Sequence, residues 1–123
     1  MAKRILVVED NDLNRKLFCD VLRAGGHDVE GCADGEAVLA AAKSFAPDLV
    51  IMDIQLPNIS GLDLILALRK DPAFVAVPIL AVTAYAGKGD EEQIREAGAN
   101  EYLAKPVSIG PFRMAVDRLL SPA

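Results

Sequence analysis

Acidic side chains stand at the ends of two apolar segments of this sequence. Glu9 and Asp10 directly follow the run Arg4–Val8, and Asp53 follows the continuous apolar run Leu49–Met52. Such a run is typical of a strand buried on both faces of a parallel sheet. Because open α/β sheets bind ligands outside the carboxyl ends of their strands, these acids are candidates for a reactive site. Taken alone, Asp53 could equally cap the turn-rich loop that follows it.

The residue types in this set suit phosphoryl transfer. Carboxylates brought together repel by about 1–4 kcal/mol per pair at roughly 4 Å, depending on the effective dielectric constant. Mg²⁺ relieves this repulsion, since it prefers oxygen ligands and is bound by one or two carboxylates together with phosphate oxygens. Thr83 and Lys105 follow two further apolar runs and add a hydroxyl donor and a positive charge. Asp53 would then be the nucleophile that forms an aspartyl phosphate.

Strands and helices are predicted to alternate along the chain and to bring these residues to one edge of a sheet. The predicted strands are Arg4–Val8, His27–Cys32, Leu49–Met52, Ile79–Val82 and Asn100–Ala104. The predicted helices begin at Asn11 or Asp12, at Asp34 and at Ser108, or span Leu62–Lys70 and Asp90–Ala97. This alternation with short connections predicts one doubly wound α/β domain, with a parallel sheet and helices on both faces.

Composition and charge exclude several classes of protein. The chain has 123 residues, of which 52% are hydrophobic and 25% charged, a balance that favours one globular core over disorder. The net charge of −5 argues against direct binding to nucleic acid, which needs clustered cations. We see no apolar run of membrane-spanning length and no signal-peptide core, so we expect a cytoplasmic protein. Cys19 and Cys32 are read as buried free thiols, with a disulfide or metal pair as the alternative.

Four motifs, in order across the whole chain, resemble the response-regulator receiver domains of bacterial two-component systems. They are Val8–Asn11, Met52–Pro57 with Gly61, Val82–Ala84, and Tyr102–Pro106. The resemblance implies a CheY-like, flavodoxin-like (βα)5 domain over residues 1–123, with sheet order 2-1-3-4-5. The chain is similar, more narrowly, to stand-alone cell-fate regulators of alphaproteobacteria. That similarity implies a part in cell-cycle control and recruitment to the cell poles by partner proteins.

The resemblance also assigns roles around the predicted acidic site. Asp53 would accept the phosphoryl group. Asp10 and Asp53 would ligate Mg²⁺ directly, Glu9 through water, and Gln55 through its backbone carbonyl. The groups that bind phosphoryl oxygens would be the backbone N–H groups of Ile54 and Ala84 and the side chains of Thr83 and Lys105.

Three further expectations follow from the same resemblance. Thr83 and Tyr102 would form a switch, in which Thr83 moves inward and Tyr102 rotates to fill the vacated space. The Lys105-Pro106 peptide bond would be cis. Gln55 and Tyr85 flank the mouth of the site, and we expect them to set how fast water hydrolyses the aspartyl phosphate.

Expected partners are proteins. A sensor histidine kinase or phosphatase would exchange the phosphoryl group, and a downstream protein would bind the face formed by the fourth helix, fifth strand and fifth helix. Since the last predicted helix ends at Leu120, near the C-terminus, we expect output through protein contacts. We expect a monomer or a weak, phosphorylation-dependent dimer that does not insert into membranes.

Two other functions stay open from the residues themselves. A Mg²⁺-dependent phosphohydrolase would use the same aspartyl chemistry, but Gln55 stands where a second acid would supply acid–base catalysis. A flavin- or nucleotide-binding domain would need a Gly- or Ser/Thr-rich loop after the first strand. Here that loop is the acidic segment Glu9–Asp12, which repels phosphate unless a metal ion lies between them. We therefore expect a phosphoacceptor domain with at most slow autodephosphorylation rather than an enzyme.

Overall fold

The computed structural model describes residues 2–85 and 87–121 as alternating strands and helices. The strands are β1 (Arg4–Val8), β2 (Asp28–Cys32), β3 (Leu49–Asp53), β4 (Ile79–Thr83) and β5 (Glu101–Ala104). The helices are α1 (Asp12–Ala24), α2 (Val38–Phe45), α3 (Gly61–Lys70), α4 (Lys88–Ala97) and α5 (Ile109–Leu120). All strand pairs are parallel, in the order β2-β1-β3-β4-β5, which confirms the predicted fold class.

Alternation along the central strands separates the apolar core into two layers. In β1, Leu6 and Val8 pack toward α2, α3 and α4, whereas Ile5 and Val7 pack toward α1 and α5. Every residue of β3 is buried, as expected for a strand covered by helices on both faces. The rings of Phe18 and Phe112 stack at 4.7 Å and join α1 to α5.

The ends of several helices differ in detail from the predictions. Asn11 is the N-cap of α1, and its side chain accepts the N–H of Asn14 at 2.9 Å. Asp34 caps a short 3₁₀ turn (Gly35–Ala37) rather than α2 itself, which starts after that turn. Ser108 holds the N-cap position of α5, but its hydroxyl makes no capping hydrogen bond. Such boundaries depend on side-chain geometry that spacing alone does not encode.

Helix α1 buries a narrower face than its apolar spacing suggests. Phe18, Cys19 and Leu22 are buried against the sheet, while Leu13 is 78% exposed and Leu17 is 40% exposed. The side of α1 that faces the sheet therefore does not include Leu13 and Leu17.

Both cysteines are free and buried, as predicted, and burial raises the pKa of each thiol. Among the described residues, no helix is long and apolar enough to cross a membrane.

Candidate functional site

Three acids from two strand ends converge at the carboxyl edge of the sheet. Glu9 follows β1 and Asp53 ends β3, and the two strands are hydrogen-bonded neighbours. One carboxylate oxygen from each of Glu9, Asp10 and Asp53 lies within 4.8 Å of the others. Glu9 and Asp53 are both only 1% exposed, whereas Asp10 is exposed to solvent. The adjacent parallel strands thus bring the predicted acids together.

Lys105 provides the positive charge opposite these acids. Its Nζ lies 3.1 Å from Asp53 Oδ2 and 3.6 Å from Glu9 Oε2. Lys105 follows β5, and its N–H donates to the carbonyl of Thr83 at 2.8 Å, which fixes the backbone beside the site. The Lys105-Pro106 peptide bond is cis, as expected.

Lys105 compensates the negative charge of the buried acids only in part. Burial, together with the neighbouring carboxylate of Glu9, raises the pKa of Asp53 to about 7, against the opposing effect of Lys105. Among the described residues, no group makes a well-aligned hydrogen bond to Asp53 Oδ2 or to either carboxylate oxygen of Glu9. Buried carboxylate oxygens without donors are costly. A hard cation bound by oxygen ligands would satisfy them, so these residues fit Mg²⁺.

A compact hydrogen-bond network lies beside the acids, at the end of β4. The Thr83 hydroxyl donates to the carbonyl of Tyr85 at 2.9 Å and accepts the N–H of Tyr85 at 3.0 Å. The Gln55 side chain donates to the same hydroxyl at 3.0 Å and accepts the N–H of Ala84 at 2.7 Å. The predicted phosphoryl-binding groups Thr83 and Ala84 are therefore adjacent, and both are held by Gln55.

In the loop after β3, two neighbouring backbone N–H groups have different partners. The Ile54 N–H, predicted to bind a phosphoryl oxygen, donates to the carbonyl of Val82 at 2.9 Å, because it continues the β3–β4 ladder. The N–H directed at the acceptor is that of Gln55, which donates to Asp53 Oδ1 at 3.0 Å. Gly61 starts α3 against this loop. A Cβ at Gly61 would overlap the carbonyl oxygen of Asp53 and come within 2.7 Å of Ile54 Cα.

Comparison with known proteins identifies the family. Residues 5–117 match the response regulator receiver domain. The chain belongs to this family. It is 42% identical, over the full length of both chains, to the polar-differentiation response regulator DivK of Brucella anthropi.

Solved receiver-type structures have the same fold. A putative response regulator from Chloroflexus aurantiacus is similar with a TM-score of 0.93 and 34% identity, covering 99% of this chain and 100% of that one. The receiver domain of the sensor histidine kinase PA1611 from Pseudomonas aeruginosa is similar with a TM-score of 0.88 and 34% identity, covering 98% of both chains. That structure has a magnesium ion coordinated in its active-site cleft. Membership of the receiver family decides against the flavin- or nucleotide-binding alternative.

Two further predicted residues, Tyr85 and Tyr102, lie outside the cluster of acids. Tyr85 is 63% exposed beside the site. Tyr102, on β5, is partly buried, with the Arg95 guanidinium 5.5 Å from its ring centroid. Partial burial and the charge of Glu91 raise the pKa of Tyr102, and Glu91 itself pairs with Arg95 at 3.2 Å. The predicted switch residue is thus in contact with charged residues of α4.

Sequence reasoning missed the part played by the Gln55 side chain. The motif predicted a backbone role in metal binding and a position at the mouth of the site, but no contact with Thr83 or Ala84. The sequence carried no signal for this contact, because it depends on the register of the sheet: Asp53 pairs with Val82, so residue 55 falls opposite residue 84.

Proposed function

We propose that this receiver domain, extending over residues 1–123, accepts a phosphoryl group on Asp53 from a phosphohistidine of a sensor kinase. The observation that carries the proposal is the buried Asp53 carboxylate, which ends β3 among Glu9, Asp10 and Lys105. A carboxylate oxygen of Asp53 attacks the phosphorus, the P–N bond breaks, and the histidine keeps that electron pair. Because the other ring nitrogen of the phosphohistidine carries a proton, the histidine leaves as neutral imidazole. The reaction needs Asp53 ionised, and Lys105 favours that state.

Glu9, Asp10 and Asp53, with the backbone carbonyl of Gln55, would hold Mg²⁺. Support comes from both carboxylate oxygens of Glu9 and from Asp53 Oδ2, which are buried and accept no well-aligned hydrogen bond from the described residues. It also comes from the magnesium ion in the similar receiver domain of PA1611. When bound, Mg²⁺ neutralises negative charge on the phosphoryl oxygens and the acceptor.

The phosphoryl oxygens would be bound by Thr83, Ala84 and Lys105, with the Gln55 N–H in place of the Ile54 N–H. Such charge-assisted hydrogen bonds are worth about 1.5–3 kcal/mol each, enough to shift a two-state equilibrium by an order of magnitude. Bonding of Thr83 to the phosphoryl group would move it inward, and Tyr102 would turn into the vacated space. Tyr102 would then leave Arg95, which changes the surface formed by α4, β5 and α5.

That surface would bind downstream proteins, and a kinase or phosphatase would control the phosphoryl group. The full-length similarity to DivK, named a polar-differentiation response regulator, supports a part in cell-cycle or cell-fate control. It also supports action in the cytoplasm with recruitment to cell poles. Within this function, Gln55 and Tyr85 would set the lifetime of the aspartyl phosphate by controlling access of water.

The test is incubation with acetyl phosphate and Mg²⁺, read by intact-mass spectrometry. We expect one phosphoryl group on the wild type and none on Asp53→Asn. Asp117→Asn, an exposed acid on α5, is the matched control and should be labelled as the wild type is. Equal labelling of Asp53→Asn would remove Asp53 from its role. Sustained turnover of small phosphate esters would instead favour the phosphohydrolase.

A further inference from the structure

The side-chain amide of Gln55 occupies hydrogen-bonding groups that the proposed phosphoryl site requires. Its Oε1 accepts the N–H of Ala84 at 2.7 Å, and its Nε2 donates to Thr83 Oγ1 at 3.0 Å. A backbone N–H has a single hydrogen to donate. While Ala84 bonds to Gln55, its N–H is therefore closed to a phosphoryl oxygen.

The Thr83 hydroxyl is equally committed. A hydroxyl has one hydrogen to donate and two lone pairs to accept, and here all three are used. The hydrogen goes to the carbonyl of Tyr85, and the lone pairs receive the N–H of Tyr85 and the Gln55 amide. Thr83 is 1% exposed, so water is not at hand to replace a lost partner. This arrangement must break before Thr83 can donate to a phosphoryl group.

Gln55 also touches the acceptor itself, because its backbone N–H donates to Asp53 Oδ1 at 3.0 Å. A single residue thus links the carboxylate at the end of β3 to the loop after β4. A cavity of about 120 Å³ lies next to the amide, lined in part by Thr83, Tyr85 and Gln93. That cavity gives the side chain space to move into.

We propose that Gln55 is a positioning residue whose amide takes the place of a phosphoryl oxygen, and so holds Thr83 and Ala84 in their unphosphorylated arrangement. Phosphorylation of Asp53 expels the amide and releases both groups. The inference rests on the proposed function. It concerns the phosphorylation of Asp53 and the release of Thr83, not the hydrolysis of the aspartyl phosphate. Gln55 acts through Thr83 and Ala84 and opposes phosphorylation until it is displaced.

The test compares Gln55→Met, which has similar length but no hydrogen-bonding amide, with the wild type. The net contribution of one hydrogen bond changes an equilibrium constant by about two- to twelvefold. We expect the rate constant for labelling by acetyl phosphate with Mg²⁺ to rise about three- to thirtyfold. Gln93→Met is the matched control, because Gln93 is exposed on α4 and lines the same cavity. We expect it to react at the wild-type rate.

A second measurement uses the unphosphorylated protein. Amide hydrogen exchange of Ala84 should become about fivefold or more faster in Gln55→Met, since the N–H loses its acceptor, and should stay unchanged in Gln93→Met. Simple destabilisation would not raise the rate of labelling. An unchanged or lower rate in Gln55→Met, or unchanged exchange of Ala84, overturns the inference. If the wild type is not labelled at all, the proposed function fails, and the exchange of Ala84 still decides whether Gln55 holds it.

Discussion

At the scale of single residues, Glu9 and Asp53 place two carboxylates where water scarcely reaches. Each is 1% exposed, and Lys105 is the cation that contacts both. Burying charge without full compensation is unfavourable. The site therefore favours a proton or a cation among its oxygens, and this preference should be measurable in the stability of the metal-free protein.

The first prediction concerns pH and Asp53→Asn. Burial and Glu9 raise the pKa of Asp53 from 3.8 to about 7, so the folded protein holds this proton more tightly than the unfolded chain does. The resulting stabilisation is complete below about pH 4 and is lost as the pH rises through about 7. Without Mg²⁺, the wild type should therefore lose about 1–3 kcal/mol relative to Asp53→Asn between about pH 5 and pH 7.5. Urea denaturation in the presence of a chelator measures this difference, and a gap independent of pH would contradict the assignment.

The second prediction concerns Gly61, where β3 and α3 come closest. A Cβ there would collide with the backbone of Asp53 and Ile54, so Gly61→Ala must push the helix away from the acceptor strand. We expect a loss of about 1–3 kcal/mol in the free energy of unfolding. Gly89→Ala is the control. Gly89 lies in α4, and its added Cβ would meet no atom within 4 Å apart from the chain neighbours and backbone of that helix, so the change should stabilise by about 0.5–1 kcal/mol.

At the scale of elements, Arg69 links the C-terminal end of α3 to the connections that follow α3 and α4. Arg69 of α3 donates to the carbonyls of Phe74 and Val77, each at 2.7 Å, and to that of Gly98 at 3.0 Å. It also donates to Asn100 Oδ1 at 2.9 Å. These acceptors belong to the connections before β4 and before β5. The arginine thereby fixes where both strands begin, and so where Thr83 and Lys105 arrive at the other edge.

The third prediction follows from the fork shape of this guanidinium. Arg69→Lys keeps the charge but cannot bond four separated acceptors, so we expect a loss of about 2–3 kcal/mol in the free energy of unfolding. Arg113→Lys is the matched control. Arg113 is exposed on α5 and makes no hydrogen bond or ion pair within residues 2–85 and 87–121, so its change should stay within about 0.5 kcal/mol. Denaturant midpoints measure the stability of both variants. If Arg69→Lys were as stable as the wild type, the positive charge alone would be sufficient at this position.

At the scale of the whole molecule, the proposed cation site joins two separate segments of chain. A ligand that binds only the folded state stabilises it by mass action, about 2.7 kcal/mol at a concentration of 100 times Kd. We expect Mg²⁺ to raise the thermal midpoint of the wild type, and to raise that of Asp53→Asn much less. The effect should weaken below about pH 7, because protons compete for Asp53. Sodium chloride at matched ionic strength is the control, and an equal shift with it would exclude a specific site.

The sequence by itself determined the alternation of strands and helices, the parallel sheet and the acids at the strand ends. Apolar periodicity and turn residues are local signals, and a parallel sheet brings the ends of its strands to one edge. The family motifs then predicted the strand order and the cis Lys105-Pro106 bond, both of which the structure has.

Only the tertiary structure decided which polar groups contact one another within that edge. The register that pairs Asp53 with Val82 commits the Ile54 N–H to the ladder, turns the Gln55 N–H toward the carboxylate, and sets the Gln55 amide against Thr83 and Ala84. The Arg69 contacts to Gly98 and Asn100 are equally distant in sequence. Such hydrogen bonds form only when the two groups are placed to within a few tenths of an ångström, in segments that the chain joins only through a helix. Residue spacing carries no information at that precision.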